Sequence, residues 1–159
     1  MFNGKPSAKK LEDEAALVAA VIQLLARREY SRGELIGRLA PRVDDGEMLQ
    51  AVLDRMETEG YQSDSRFAMS QARQRSAQGY GERRIRYDLQ QKGVSAVLID
   101  STLSELAIDW YELARCQAVR KYGESIADDA KERARRSRYL LGRGFGYDEI
   151  RYALESENS

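Results

Sequence analysis

Residues 79–86 read Gly79-Tyr80-Gly81-Glu82-Arg83-Arg84-Ile85-Arg86. Two glycines around one aromatic permit a tight turn, because glycine adopts backbone angles that other residues avoid. Beyond them Ile85 and Leu89 stand four apart, on one side of a short helix that Lys92-Gly93 ends. The segment therefore reads as a turn opening a helix, and its surroundings repeat it. A shift of 50 residues aligns Tyr30 with Tyr80, Leu35 with Ile85, Leu39 with Leu89, Leu49 with Ile99 and Leu53 with Leu103. A further shift of 51 takes Leu89 to Leu140, Gly93 to Gly144, Val94 to Phe145, Ile99 to Ile150 and Leu103 to Leu154. This last register is the weaker, since Arg136 falls in the position of Ile85. Capping and turn residues match as well as apolar ones, so the spacing predicts an all-α chain of three tandem three-helix repeats. Stacked units bury surface against neighbours rather than around one centre, which predicts an elongated, curved array without a deep pocket.

Working outward, Leu17, Val21, Leu24 and Leu25 fall at helical spacing. Ser31 and Glu34 form a capping-box pattern ahead of Leu35, Ile36 and Leu39, and Pro41 stops that helix. Met48, Leu49, Val52, Leu53 and Met56 mark one face of the next, which Gly60 ends. Ser63 or Asp64 is placed to cap a helix carrying Phe67 and Met69, and Ser95 opens one with Ile99, Leu103 and Leu106. Asp109 to Glu112 reads as a second capping box, with helices following through Val119, over 129–141 and over 147–154. The repeats are expected at 11–61, 62–108 and 109–159, after a disordered polar tail over 1–10.

The chain has 159 residues, with 26 Lys+Arg, 26 Asp+Glu, no His and one Cys, Cys116. Without histidine there is no Ser-His-Asp machinery and no imidazole metal ligand. A single cysteine excludes an internal disulfide and a thiolate zinc cage, and suits a reducing cytoplasm. Paired carboxylates at Asp44-Asp45 and Asp128-Asp129 lack a third ligand or phosphate loop, so no metal, cofactor or catalytic residue is expected. Gly79-Tyr80-Gly81 lacks the remaining glycine and the preceding strand of a dinucleotide fingerprint. The best apolar stretch, residues 15–26, is interrupted by Gln23 and too short for a membrane span. The first residues lack the apolar run of a secretory signal.

The formal net charge is zero, but it is built from blocks. Residues 42–64 are mostly acidic, and residues 93–114 carry acids and no base. Residues 66–92 are mostly basic, as are residues 131–143. Arg83, Arg84, Arg86 and Lys92 mark the first basic helix. Arg133, Arg135, Arg136, Arg138 and Arg143 mark the second. Guanidinium clusters on helices with few acids nearby in sequence suit carboxylates or phosphates, each planar fork pairing bidentately. The plain alternative is a solvated helix face for the first cluster. For the second it is a set of core tyrosines, with arginines paired to Asp128, Asp129 and Asp148. Phe145 matches Val94 and is assigned to the core. Tyr139 and Tyr147 allow stacking beside phosphate contact. Trp110 is expected to seal the junction of the second and third repeats, and Cys116 to be a small core residue. Three-helix units also suggest helix-turn-helix domains, yet the helices in the recognition position, 47–59 and 95–107, are acidic or lack bases. That is poor chemistry for a phosphate-lined groove, and sequence-specific DNA reading is disfavoured.

Glu29-Tyr30-Ser31-Arg32-Gly33-Glu34-Leu35, Glu59-Gly60-Tyr61 with Arg66-Phe67-Ala68, Gly79-Tyr80-Gly81, Gln91-Lys92-Gly93-Val94 and Arg143-Gly144-Phe145 occur in that order. As a series they resemble RecX, the family of regulatory proteins of the bacterial RecA recombinase, over residues 15 to 154. The sequence departs from the family's pattern at Gln62 and Ser63, at Gln78 in place of a usual base, and at Gly146 in place of a usual serine. The change at Gln78 puts one basic contact in question, and the change at Gly146 weakens the cap of the last helix. The resemblance implies a regulator that binds RecA filaments on single-stranded DNA; a cytoplasmic, monomeric protein without enzymatic activity is expected. The resemblance further implies inhibition of strand exchange and of RecA's ATP hydrolysis, and hence modulation of recombination, repair and the SOS response. The rival expectation is a stand-alone, non-sequence-specific DNA-binding protein acting through the same basic helices.

Overall fold

The computed structural model describes residues 9–155, so most of the tail expected over 1–10 lies outside the described residues. Among the described residues there are nine α-helices and no strand. They are α1 (Glu14–Leu25), α2 (Arg32–Leu39), α3 (Gly46–Thr58), α4 (Asp64–Ala77), α5 (Glu82–Gln91), α6 (Ala96–Leu106), α7 (Trp110–Tyr122), α8 (Ala130–Gly142) and α9 (Tyr147–Leu154). They form three successive triplets, as the spacing predicts. Pro41 ends α2 inside a single 3-10 turn, Ala40–Arg42. No helix among the described residues is long and apolar enough to cross a membrane.

Contacts divide the chain into two compact bodies. Among the described residues, one comprises residues 9–67 and 92–94, and the other residues 68–91 and 95–155. In the first, Leu17, Val21, Leu35, Leu39, Leu53 and Met56 form a solvent-free centre for α1 to α3. Ser31 caps α2 by accepting from the Glu34 N–H, and Glu34 accepts in return from the Ser31 N–H. Such a box satisfies two amides that the helix start leaves unpaired, and replacing the serine costs about 1 kcal/mol. The Ser31 hydroxyl also donates to the carbonyl of Lys92 at 2.7 Å, which docks the 92–94 turn on the start of α2. Gly33 is obligatory there: a Cβ would stand 2.6 Å from the Lys92 oxygen.

In the second body Ala114, Ala118, Leu140, Phe145 and Ile150 pack α7, α8 and α9 together. The turn after α8 repeats the docking seen in the first body, this time on the start of α5. The amides of Gly81 and Arg83 donate to the carbonyls of Arg143 and Gly144 at 2.8 and 3.1 Å. Orphan donors of the α5 start are thus satisfied by another turn rather than by a serine or aspartate. Gly81 is required by space, since its Cβ would meet Gly144 and Phe145 backbone atoms at 2.5 to 2.7 Å. Val94 and Phe145, the equivalent residues of the two docking turns, are both buried.

Some expectations need correction. Cys116 is exposed on α7 rather than in the core. Ala114, Gln117 and Ala118 define the buried stripe of that helix, and Cys116 lies off it. Asp109 does cap α7 by accepting from the Glu112 N–H, but Glu112 accepts from the Tyr152 hydroxyl instead of closing a box. Trp110 is half-buried at the first turn of α7. Gly146 has no side chain with which to cap α9, and the Glu149 carboxylate accepts from its N–H at a long 3.4 Å.

Candidate functional site

Tyr80 lies between α4 and α5, and three guanidinium groups surround its ring. The Cζ atoms of Arg143, Arg84 and Arg75 stand 4.1, 5.3 and 5.6 Å from the ring centroid. Each comes from a different helix end: Arg75 from the last turn of α4, Arg84 from the first turn of α5, Arg143 from the residue closing α8. The glycines fix this convergence. Gly79 turns the chain with φ +87, and a Cβ there would overlap the Gln117 side chain at 2.2 Å. Gly144, at φ +100, lies so close to α5 that a Cβ would fall 2.4 Å from the Arg84 Cβ. The two basic stretches of the sequence are thereby joined through Arg84 and Arg143.

The acids expected to be scarce near these arginines are supplied by the fold. Asp88 accepts from Arg84 Nε at 3.2 Å, and Arg75 Nε lies 4.0 Å from the same carboxylate. Arg86 is held by Glu82 at 3.1 Å and by Asp100 of α6 at 2.6 Å. Lys92 lies 3.5 Å from Glu34, in the first body. Glu132 takes both Arg135 and Arg136, at 2.8 and 3.0 Å, and these bonds, Arg135's first, draw its carboxyl below the usual range. Exposed pairs of this kind contribute little to stability and leave the arginines available to a stronger partner.

Arg136 is the exception. It is only 9% exposed, its Nη1 donates to the Ser125 carbonyl at 2.6 Å, and Tyr122 lies under its guanidinium. It fills the place that Ile85 holds in the preceding triplet, and it ties the α7–α8 loop to α8. The expectation that it faces a partner is corrected accordingly. Arg133 and Arg138 are exposed and form no ion pair with the described residues. Arg83 is exposed too, and its guanidinium stands 5.9 Å from the ring of Tyr147.

The sequence reading missed Arg75 and the part played by Gln78. The Gln78 carbonyl accepts from Arg143 and its Oε1 from Arg75, so Gln78 serves as an acceptor for two arginines. Of the aromatics near the second basic helix, Phe145 is core and Tyr139 half-buried against Tyr122, whereas Tyr147 is 69% exposed. A separate open hollow of about 350 Å³ lies on the third triplet, lined by Val119, Ile126, Arg136 and Leu154 among others. No group of three or more His, Cys, Asp or Glu side chains among the described residues is arranged to hold a metal ion.

Family models described as the second and third three-helix domains of RecX match residues 63–103 and 107–154. A protein of Chromohalobacter salexigens named regulatory protein RecX is 42% identical over 133 residues, spanning 84% of this chain and 87% of that one. The chain belongs to the RecX family of regulatory proteins. The RecX protein of Vibrio campbellii is 41% identical over 139 residues, covering 87% of this chain and 90% of its own. Two solved structures share the fold. A crystal structure of regulatory protein RecX superposes with a TM-score of 0.76 at 20% identity, over 87% of this chain and 71% of that one. The RecX of Lactobacillus salivarius gives 0.75 at 18% identity, over 88% and 93%.

Proposed function

We propose that this RecX protein regulates the RecA recombinase by binding its filaments on single-stranded DNA. It lowers ATP hydrolysis and strand exchange there, and so modulates recombination, DNA repair and the SOS response. It acts in the cytoplasm as a monomer, by binding rather than by catalysis. Family membership supports this reading. The observation that carries it to particular residues is the ring of Arg75, Arg84 and Arg143 around Tyr80. A filament offers phosphates and acidic side chains, and guanidinium pairs with either bidentately. Arg83, Arg84, Arg133, Arg135, Arg138 and Arg143 are assigned to contact. Arg86 and Lys92 contribute less: Arg86 is engaged by two carboxylates, Glu82 and Asp100, and Lys92 faces the largely buried Glu34 that Arg28 also holds.

The test is RecA's ATPase on single-stranded DNA, with the wild type and with an Arg84→Glu, Arg135→Glu double variant. The wild type lowers the rate. The variant needs about tenfold more protein for the same effect, as expected for exposed charges at an interface. Unchanged inhibition at matched helicity refutes the assignment of these arginines. Tight, steeply salt-dependent binding to bare DNA with no effect on RecA would mark a stand-alone DNA-binding protein instead.

A further inference from the structure

Two nitrogens beside Tyr80 are buried and lack an acceptor among the described residues, Nε of Arg75 and Nε of Arg143. Folded proteins leave few such donors, and an ion or water commonly accounts for them. The acceptors these two arginines do have are neutral: the Gln78 carbonyl for Arg143, and Gln78 Oε1 at 3.3 Å for Arg75. Neither bond cancels a charge. Asp88 is the carboxylate paired within the ring, and it serves Arg84 first. Three cations and one anion around a single aromatic leave a net positive charge there, which favours a further anion.

We infer that this ring holds a phosphate of a single-stranded nucleic acid, whose neighbouring bases stack on Tyr147 and Tyr87. The inference deepens the filament reading and depends on it only for where the strand is met. Phosphate fits the donors because its oxygens can receive several guanidinium N–H groups at once. The tyrosines distinguish a nucleic acid from an acidic protein segment. Tyr147 is 69% exposed beside Arg83, and Tyr87, 58% exposed, follows Arg83 and Arg84 by four and three residues on α5. Side chains at those spacings are neighbours on a helix surface. An aromatic ring next to an unpaired arginine is a base-stacking platform, and it needs bases that are not already stacked in a duplex. A carboxylate-bearing peptide would engage the arginines and leave both rings idle.

The experiment follows a fluorescein-labelled oligothymidylate by anisotropy across a salt series, with the full chain and no RecA. Wild type binds with a dissociation constant on the order of 10 μM, in the range of non-specific binding. Arg84→Gln keeps its Cβ against Gly144, weakens binding about fivefold and lowers the slope of log K against log salt by roughly 0.7, one single-strand phosphate. Tyr147→Ala weakens binding about tenfold without altering that slope, and has no effect on an abasic oligonucleotide of the same length. Two outcomes overturn the inference. One is wild-type affinity in both variants, each checked by circular dichroism. The other is sensitivity to Arg84→Gln alone, with polyglutamate displacing the oligonucleotide at equal charge; that would assign the ring to an acidic protein surface. The RecA ATPase reports separately: no inhibition by wild type fails the filament reading and leaves the oligonucleotide result standing.

Discussion

Tyr30 and Tyr80 occupy equivalent places, each just before the second helix of a triplet and each bracketed by arginines. Around Tyr30 the arrangement is closed. The ring is 4% exposed, Arg28 stacks on it at 3.6 Å, and Arg28 in turn holds Glu34 through two bonds of 3.2 and 2.9 Å. Arg38 donates to the Tyr30 hydroxyl at 2.9 Å, and Lys92 shares Glu34. Each cation there has an acceptor. Around Tyr80 the ring is only partly buried, and two buried Nε atoms have none among the described residues. The same turn has been used once to complete a core and once to gather charge that the fold does not satisfy. Position in a repeat therefore predicts shape, while acceptors decide which copy is available for binding.

The largest expected contrast lies in the docking turns. Gly93 and Gly144 are equivalent, with φ of +82 and +100, yet they meet different surroundings. A Cβ at Gly93 would touch Gly33 at an ordinary 3.6 Å, whereas one at Gly144 would overlap Arg84 at 2.4 Å. Gly93→Ala therefore costs about 1 kcal/mol of backbone strain. Gly144→Ala costs about 3 kcal/mol, because α5 must also move away from the turn. Urea melts of the two variants measure the difference. Equal losses would mean that the Arg143-Gly144-Phe145 turn is not what holds Arg84 and Arg143 on Tyr80.

A smaller contrast concerns the tyrosine hydroxyls. Tyr30→Phe removes the acceptor of Arg38 and should cost about 1 kcal/mol, a usual value for a hydrogen bond to a charged donor at a partly wet site. Tyr80 meets its arginines through its ring face, at 4.1 to 5.6 Å, so Tyr80→Phe should leave stability unchanged. Thermal melts check the pair. A loss at Tyr80 matching that at Tyr30 would show that the second turn is as closed as the first.

The repeats were legible because burial selects them. Leu35, Ile85, Leu39, Leu89 and Leu140 recur at fixed spacing, and all are fully or almost fully buried. Arg136 was legible in part: the register already placed it on Ile85, and a charged residue in a core position must bring its acceptor, here the Ser125 carbonyl. The convergence on Tyr80 was not legible. Arg75 lies on α4 with no periodic feature of its own. That Gly144 packs on Arg84 depends on how two triplets meet, a distance no local pattern encodes. Charge blocks along the chain misled for the same reason, since Asp100 and Glu34 reach Arg86 and Lys92 from elsewhere in the fold.

The smallest contrast is in pH. Glu34 and Glu149 both occupy the third position of a helix, in α2 and α9, and their surroundings push them in opposite directions. Burial acts to raise Glu34, but the Arg28 hydrogen bond, the Ser31 N–H and the charges of Arg28 and Lys92 outweigh it and leave its carboxyl below the usual 4.5. Burial also raises Glu149. There the Gly146 N–H and Arg83 are too weak to reverse it, and Glu82 and Asp148 add to the rise above 4.5. A lowered carboxyl stabilises the fold above its unfolded value and loses that contribution as pH falls through the folded one. A raised carboxyl does the reverse: its contribution is complete below the unfolded value and disappears as pH climbs through the folded one. Glu34→Gln should therefore lose about 0.5 kcal/mol at neutral pH and rejoin wild type in acid. Glu149→Gln should gain less than about 0.5 kcal/mol at neutral pH, and that gain should vanish below the usual carboxylate range. Urea midpoints recorded from about pH 3 to about pH 8 separate the two curves. Curves of the same sign would show that Arg83 binds Glu149 as firmly as Arg28 binds Glu34. Arg83 would then be committed to the fold, and its place beside Tyr147 would no longer favour a strand.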